Sequence, residues 1–178
     1  MGKTDRSFVL AVINAYAPQS GRAWRTEIRE DGDEQVQTSI IDDFYAHLER
    51  AVQDVKKISN MYIIAGDFNA IVGKPQSQDE EHTGKYGLGR RNRSGTVLAE
   101  FARERKLLFA NTFFKHRSSH KLTWEGNIKK KPDETAMEVD DEQPEEIHIT
   151  TQIDYIIMHR RYRQTIQNAR TYYGTVFS

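Results

Sequence analysis

The sequence predicts an α+β sandwich, with sheets within and helices outside. Three features point there: several short apolar runs of strand length, two stretches with apolar residues at helical spacing, and the interleaving of the two kinds along 178 residues. That length is one domain's worth and is enough for a substantial core. No internal repeat interrupts it.

Phe8 to Tyr16 is nearly all apolar and rich in strand formers, so it is expected to be a central strand buried on both faces. Pro18, which has no N–H to give a ladder, and Gly21, which permits a turn, end it. Residues 22–38 are polar and charged and are expected to form a loop or the frayed approach to a helix. At Ser39 a capping-box-like Ser-x-x-Asp opens a helix, with Ile41, Phe44, Leu48, Ala51, Val52 and Val55 on one face. Lys56 and Lys57 suit the negative pole of its dipole. A strand at 61–66 follows, then a loop from Gly73 to Arg93 rich in Gly, Lys and Gln. A second helix is expected from about Gly95 to Lys106, turning Val97, Leu98, Phe101 and Ala102 inward. Leu107 to Thr112 reads as a buried strand and Leu122 to Trp124 as a shorter one. Residues 126–147 carry a lysine run, two prolines and an acidic cluster, which predicts a flexible insertion. Order is expected to return from His148 to Met158, with a last strand from Arg170 to Phe177.

Charge is unevenly placed. The chain holds 26 basic and 26 acidic residues, but residues 133–146 carry eight acids and no Lys or Arg, leaving 26 bases against 18 acids elsewhere. This net +8 suits a binder of polyanions, although an ordinary solvated surface reads the same way. No cysteine is present, which excludes disulfides, thiolate metal sites and a cysteine nucleophile. The polar N-terminus and the polar Asn14 and Tyr16 within the first apolar run argue against a signal peptide or a membrane span. An intracellular protein is expected, the nucleus being among the compartments this allows.

The chemistry concentrates at Met61 to Ala70, where an apolar run stops at Gly66 and presents Asp67, Phe68 and Asn69. Period-two geometry places Asp67 and Asn69 on one face with Phe68 opposite. A carboxylate that holds a proton or orients a water, beside an amide that both donates and accepts, suits phosphodiester hydrolysis. The same four residues also read as a turn in which Asp and Asn bond their own backbone.

Four blocks stand in order: Asn14-Ala15-Tyr16-Ala17-Pro18, Gly66-Asp67-Phe68-Asn69, Leu122-Thr123-Trp124 and Gln152-Ile153-Asp154-Tyr155, with Asn111-Thr112 between the second and third. Together they resemble the endonuclease/exonuclease/phosphatase superfamily of DNase I-like and apurinic-endonuclease-like enzymes. The segment from Gly89 to Phe113 most resembles the endonucleases of RTE-type non-LTR retrotransposons and the related craniofacial development protein 2 group. The resemblance covers nearly the whole chain and implies a four-layer α/β/β/α sandwich, incomplete at both ends. It implies that Tyr16 contacts the scissile phosphate, that Asp67 acts as general acid/base or leaving-group partner, and that Asn69 orients nucleophile or phosphate. Asp154 falls where the family's aspartate orients a catalytic histidine, and an acid between Ile153 and Tyr155 is costly without a partner. Trp124 matches a tryptophan near the substrate face, though a core tryptophan fits as well. Asn92 lies where related proteins show Asn-x-Asn-Gly; it is a candidate phosphate contact, with Ser94 as the helix cap.

The family's Mg²⁺ or Mn²⁺ is held partly by a glutamate and a terminal aspartate for which this chain shows no match, so Asp67 and Asn69 are the candidate metal residues. The terminal Ser-Asp-His with its histidine is likewise unmatched, and His148 and His159 fit no family position. The resemblance therefore implies a DNA endonuclease of retrotransposon origin, impaired in this chain, acting as a monomer with neither membrane nor disulfide-linked partner. A phosphatase or phospholipid diesterase of the same superfamily and a non-catalytic binding remnant stay open as alternatives.

Overall fold

The computed structural model describes residues 9–19, 24–28, 35–129 and 146–172. Within them a four-stranded sheet forms in the order β1 (Leu10–Tyr16), β4 (Met61–Asp67), β8 (Asp154–His159), β5 (Leu107–Phe109). β1 and β4 run parallel; β8 runs antiparallel to both of its neighbours. Two hairpins complete the strands: β2 (Trp24–Ile28) with β3 (Gln35–Ser39), and β6 (Trp124–Lys129) with β7 (Glu146–Thr151).

Two amphipathic helices cover one face of the sheet. α1 (Ile40–Ile58) begins where Ser39 accepts from Asp42 N at 3.2 Å, with Asp42 and Asp43 in its first turn and Lys56 and Lys57 in its last, both favourable to the helix dipole. α2 (Arg93–Glu104) is capped by Asn92 rather than by Ser94. Their apolar faces, among them Leu48, Val52, Leu98 and Phe101, meet Tyr62, Ile64, Phe109, Tyr155 and Ile157 in one buried cluster. On the other face a smaller cluster gathers Leu108, Ala110, Met158 and Ala169 under Phe113, Phe114, Tyr162 and Ile166.

An α+β fold is what the sequence led us to expect, but several elements differ. β1 is an edge strand with one open face: Leu10, Val12 and Tyr16 are 44%, 63% and 71% exposed, because only β4 pairs with it and nothing among the described residues lies over that side. Among the described residues the strands form one four-stranded sheet and two two-stranded sheets. Residues 22–38, expected to be irregular, contain the β2–β3 hairpin; strand formers at alternate positions in Trp24-Arg-Thr-Glu-Ile28 and Val36-Gln-Thr38 carry that signal despite the intervening charges. The strand at Leu107 stops at Phe109 and passes into a 3₁₀ turn, Ala110–Phe113, where the Thr112 hydroxyl donates to Phe109 O at 2.7 Å. Residues 124–129 and 146–151 are strand, so the expected insertion narrows to a segment whose residues 130–145 lie outside the described residues. Arg170 to Tyr172 are irregular, and the rest of the expected last strand also lies outside the described residues.

Candidate active site

Strand register brings three of the sequence's candidates into one row. Tyr16 pairs with Asp67 across β1 and β4, and Asp67 pairs with Asp154 across β4 and β8. All three therefore project from the face of the sheet opposite the helices, because directly paired residues share a face. The row closes only because residue 66 is glycine: its φ is +148°, and a Cβ there would stand 1.8 Å from Ala15 O on the neighbouring strand.

Beyond Asp67 the strand ends. Phe68 N donates to Ile153 O at 2.9 Å, and Phe68 buries its ring on the helix side. Asn69 adopts φ +47°, a conformation asparagine tolerates better than most residues. Its N–H donates to Asp67 Oδ1 at 2.8 Å and its side-chain amide to Ala17 O at 2.7 Å. The period-two expectation for Asn69 therefore fails at the turn. Asn69 instead ties the end of β4 to the end of β1, while one oxygen of Asp67 holds the turn and the other is left for chemistry. Asn92 likewise serves the backbone: its Oδ1 accepts from Gly95 N at 2.7 Å and from Ile71 N at 3.0 Å.

Thr123 is a residue the sequence did not single out. Its hydroxyl oxygen accepts from Ile153 N at 2.9 Å and Asp154 N at 3.2 Å, which leaves its proton for the Asp154 carboxylate. Burial, and then the charge of Asp67, push the Asp154 carboxyl above its ordinary value, against the lowering bond from Thr123. Asn111, buried beneath, accepts from Ile156 N at 2.8 Å and so fixes the strand beside Asp154. An open cleft of about 490 Å³ adjoins Asp154, lined also by Ala65, Gly66, Asn111, Thr123 and Arg170. Arg170 donates to the Tyr172 hydroxyl at 3.0 Å and is a cation that the sequence suggested only as part of a strand. Trp124, 37% exposed at the start of β6, lies one residue beyond Thr123.

The histidines lie elsewhere. His159 is at the opposite end of β8, in register with Leu107, and His148 on the β6–β7 hairpin is bonded to Asn127 and paired with Glu125. Among the described residues no group of three or more acids or histidines gathers to enclose a metal. The donors that do meet are two carboxylates, Asp67 and Asp154. Hard oxygen pairs of this kind fit Mg²⁺ or Mn²⁺, since Mg²⁺ commonly takes one or two protein carboxylates and completes its shell with water and substrate phosphate.

Known proteins resemble this chain over most of its length. Across 166 residues, 93% of the chain, it is 32% identical to craniofacial development protein 2 of Bos taurus. The chain is similar to craniofacial development protein 2. The corresponding protein of Tragulus javanicus is 31% identical over the same length. The chain spans less than a quarter of these relatives, 22% and 23% of their lengths. No family model and no solved structure matches. No helix among the described residues is long and apolar enough to cross a membrane.

Proposed function

We propose that this domain carries out metal-dependent hydrolysis of phosphodiesters, with DNA as the substrate, in the manner of the retrotransposon-type endonucleases its motifs resemble. The observation that supports this best is the Tyr16–Asp67–Asp154 row, three chemistry-bearing residues from distant parts of the chain in adjacent register. The exposed Tyr16 hydroxyl donates to a non-bridging phosphate oxygen. The free oxygen of Asp67 accepts or returns a proton at the reacting oxygen, and Asp154, steadied by Thr123, is the second carboxylate that would hold the metal. Arg170, which lines the same cleft, balances the phosphate. Trp124 offers a face for a base, and the Asn92 amide nitrogen a lesser polar contact. Mg²⁺ or Mn²⁺, when bound at Asp67 and Asp154, supplies charge stabilisation at the phosphate.

The test is nicking of supercoiled plasmid in Mg²⁺ or Mn²⁺, run beside phosphate release from inositol phosphates. Metal-dependent nicking, however weak, should fall about 10²-fold or more in Asp67→Asn and in Asp154→Asn. Mn²⁺ binding, followed by electron paramagnetic resonance, should weaken in the same two variants. Nicking and Mn²⁺ binding that persist in both would refute the assignment, and release of inositol phosphate without nicking would move the substrate class.

A further inference from the structure

We propose that a single strand of nucleic acid binds along a cation-rich face that runs from the Asp154 cleft to an arginine-rimmed hollow at the far end of β8. Residues 105–124 contain five Lys and Arg and no Asp or Glu; residues 155–172 contain four and none. The fold packs these two segments against each other. β5 pairs with β8, Arg160 N donates to Lys106 O at 2.9 Å, the His116 ring meets Asn168 Oδ1 at 2.7 Å, and Thr171 N donates to His120 O at 2.8 Å. Two stretches that carry nine cations and no carboxylate of their own thus lie side by side, and Coulomb repulsion among those cations is relieved by a polyanion.

The far end of this face has a shape as well as a charge. A hollow of about 450 Å³ is floored by Leu108 and Ala110, flanked by the half-buried Phe113 and Phe114, and rimmed by Arg161 and Arg163. Its size falls among small-ligand clefts, roughly 300–1,000 Å³. Arg163 lies over the Phe113 ring at 4.5 Å and Arg161 over Tyr162 at 4.6 Å, with Arg161 also donating to Asn60 O at 2.9 Å. Arg160 is paired with Glu81 at the surface, but no ion pair holds Arg161 or Arg163 among the described residues. Burial, followed by the charges of Arg161, Lys56, Arg160 and Lys106, holds the nearby His159 imidazole below its ordinary value.

Guanidinium groups over aromatic rings, beside an apolar floor, suit a splayed base and its phosphate. A duplex keeps its bases stacked and has no reason to enter the hollow. From Asp154 to His159 the strand measures about 17 Å, so one oligonucleotide reaches from the cleft to the hollow. The proposal rests on the phosphodiester reading only for what happens at the cleft; binding along the face stands apart from it.

Fluorescence anisotropy of a labelled oligothymidylate of about 12 nucleotides, with EDTA present, measures binding without cleavage. The pair Arg161→Gln with Arg163→Gln should weaken binding about tenfold or more and flatten the log–log salt slope by about 1.4, as expected when two phosphates are no longer neutralised. The pair Arg50→Gln with Arg103→Gln removes the same charge from the helices and should change affinity less than about twofold. Equal losses in the two pairs would overturn the proposal, as would binding of polyglutamate or heparin as tight as that of the oligonucleotide. A second measurement needs no variant: a photoreactive thymidine analogue in the oligonucleotide should cross-link to Phe113, Phe114 or Tyr162, and cross-links found only elsewhere would also overturn it. Loss of nicking with binding intact would count against the reading of the cleft and not against this surface.

Discussion

Asp154 is placed where function and stability pull apart. The fold raises its carboxyl above the ordinary value of 3.8, first by burial and then by the Asp67 charge, so the folded chain keeps this proton to a higher pH than the unfolded chain does. Such a group contributes its stability below its ordinary value and loses it as the pH rises through the folded value. Asp154→Asn keeps the shape and removes the charge. It should therefore melt above the wild type at pH 7, with the gap closing as pH falls toward 4, while any nicking drops. A variant that melts lower than wild type at pH 7 would show that the ionised carboxylate holds the fold together. Gly66 shows the opposite case, a residue needed for geometry alone. Gly66→Ala would drive a methyl into Ala15 O, and should cost about 1–3 kcal/mol by chemical denaturation, with loss of the Tyr16–Asp67 pairing. A melt within a few tenths of a kcal/mol of wild type would mean that β1 can draw away without consequence.

The segment from Gly73 to Asn92, between β4 and α2, is held more firmly than its composition suggests. Arg91, 6% exposed, pairs with Glu80, 8% exposed, and its Nε donates to Val72 O at 2.7 Å. Burial pushes the Glu80 carboxyl up, but bonds from Arg91, Thr83 and the backbone of Gln76 outweigh it and leave the group below its ordinary 4.5. His82 is held below its ordinary 6.5, chiefly by burial, and then by Arg91 and Arg103 against the pull of Glu80. Both groups contribute stability that is present above their ordinary values and lost as pH falls through the folded ones. Thermal melts should thus decline below pH 6.5 and again below 4.5. His82→Gln should lessen the first decline, leaving the share that the likewise depressed His159 contributes, and Glu80→Gln, which leaves a buried guanidinium alone, should cost about 3–5 kcal/mol at neutral pH. Melts that are flat between pH 6.5 and 5 would show that His82 titrates as if free. None of this clamp was legible in the sequence, where Glu80, His82 and Arg91 read as loop polarity. α1 was legible almost to the residue, because Ser39, its apolar spacing and its terminal lysines all agree. The face exposure of β1 was not, since a run of apolar residues reports strand length but not how many neighbours the strand acquires. Polar residues at the ends of apolar strands led us to expect Tyr16, Asp67, Asn69 and Asp154 at one end of the sheets; that Tyr16, Asp67 and Asp154 share one row depends on register, which no single segment encodes.

At the scale of the whole molecule, charge is segregated: eight acids in residues 133–146 against nine cations in the two acid-free segments that the fold joins. A polyanion and a run of carboxylates are competitors for the same cations, whatever the detailed path of either. Removing residues 133–145, which leaves the β7 strand from Glu146 intact, should therefore tighten oligonucleotide binding at low salt and steepen its salt dependence by about 0.7 for each additional phosphate neutralised. Unchanged affinity at low salt would show that the carboxylates meet only solvent. A tighter complex alone would not say where the competition occurs, because any loss of negative charge raises the long-range potential. The double-mutant cycle separates the two effects. If the carboxylates compete for the hollow, the deletion should improve binding little when Arg161→Gln and Arg163→Gln are already present, giving a coupling energy of about 0.5–3 kcal/mol. If the effect is only the overall field, the two changes should add within about 0.5 kcal/mol, and the acidic segment would then be a solubilising charge with no address on the molecule.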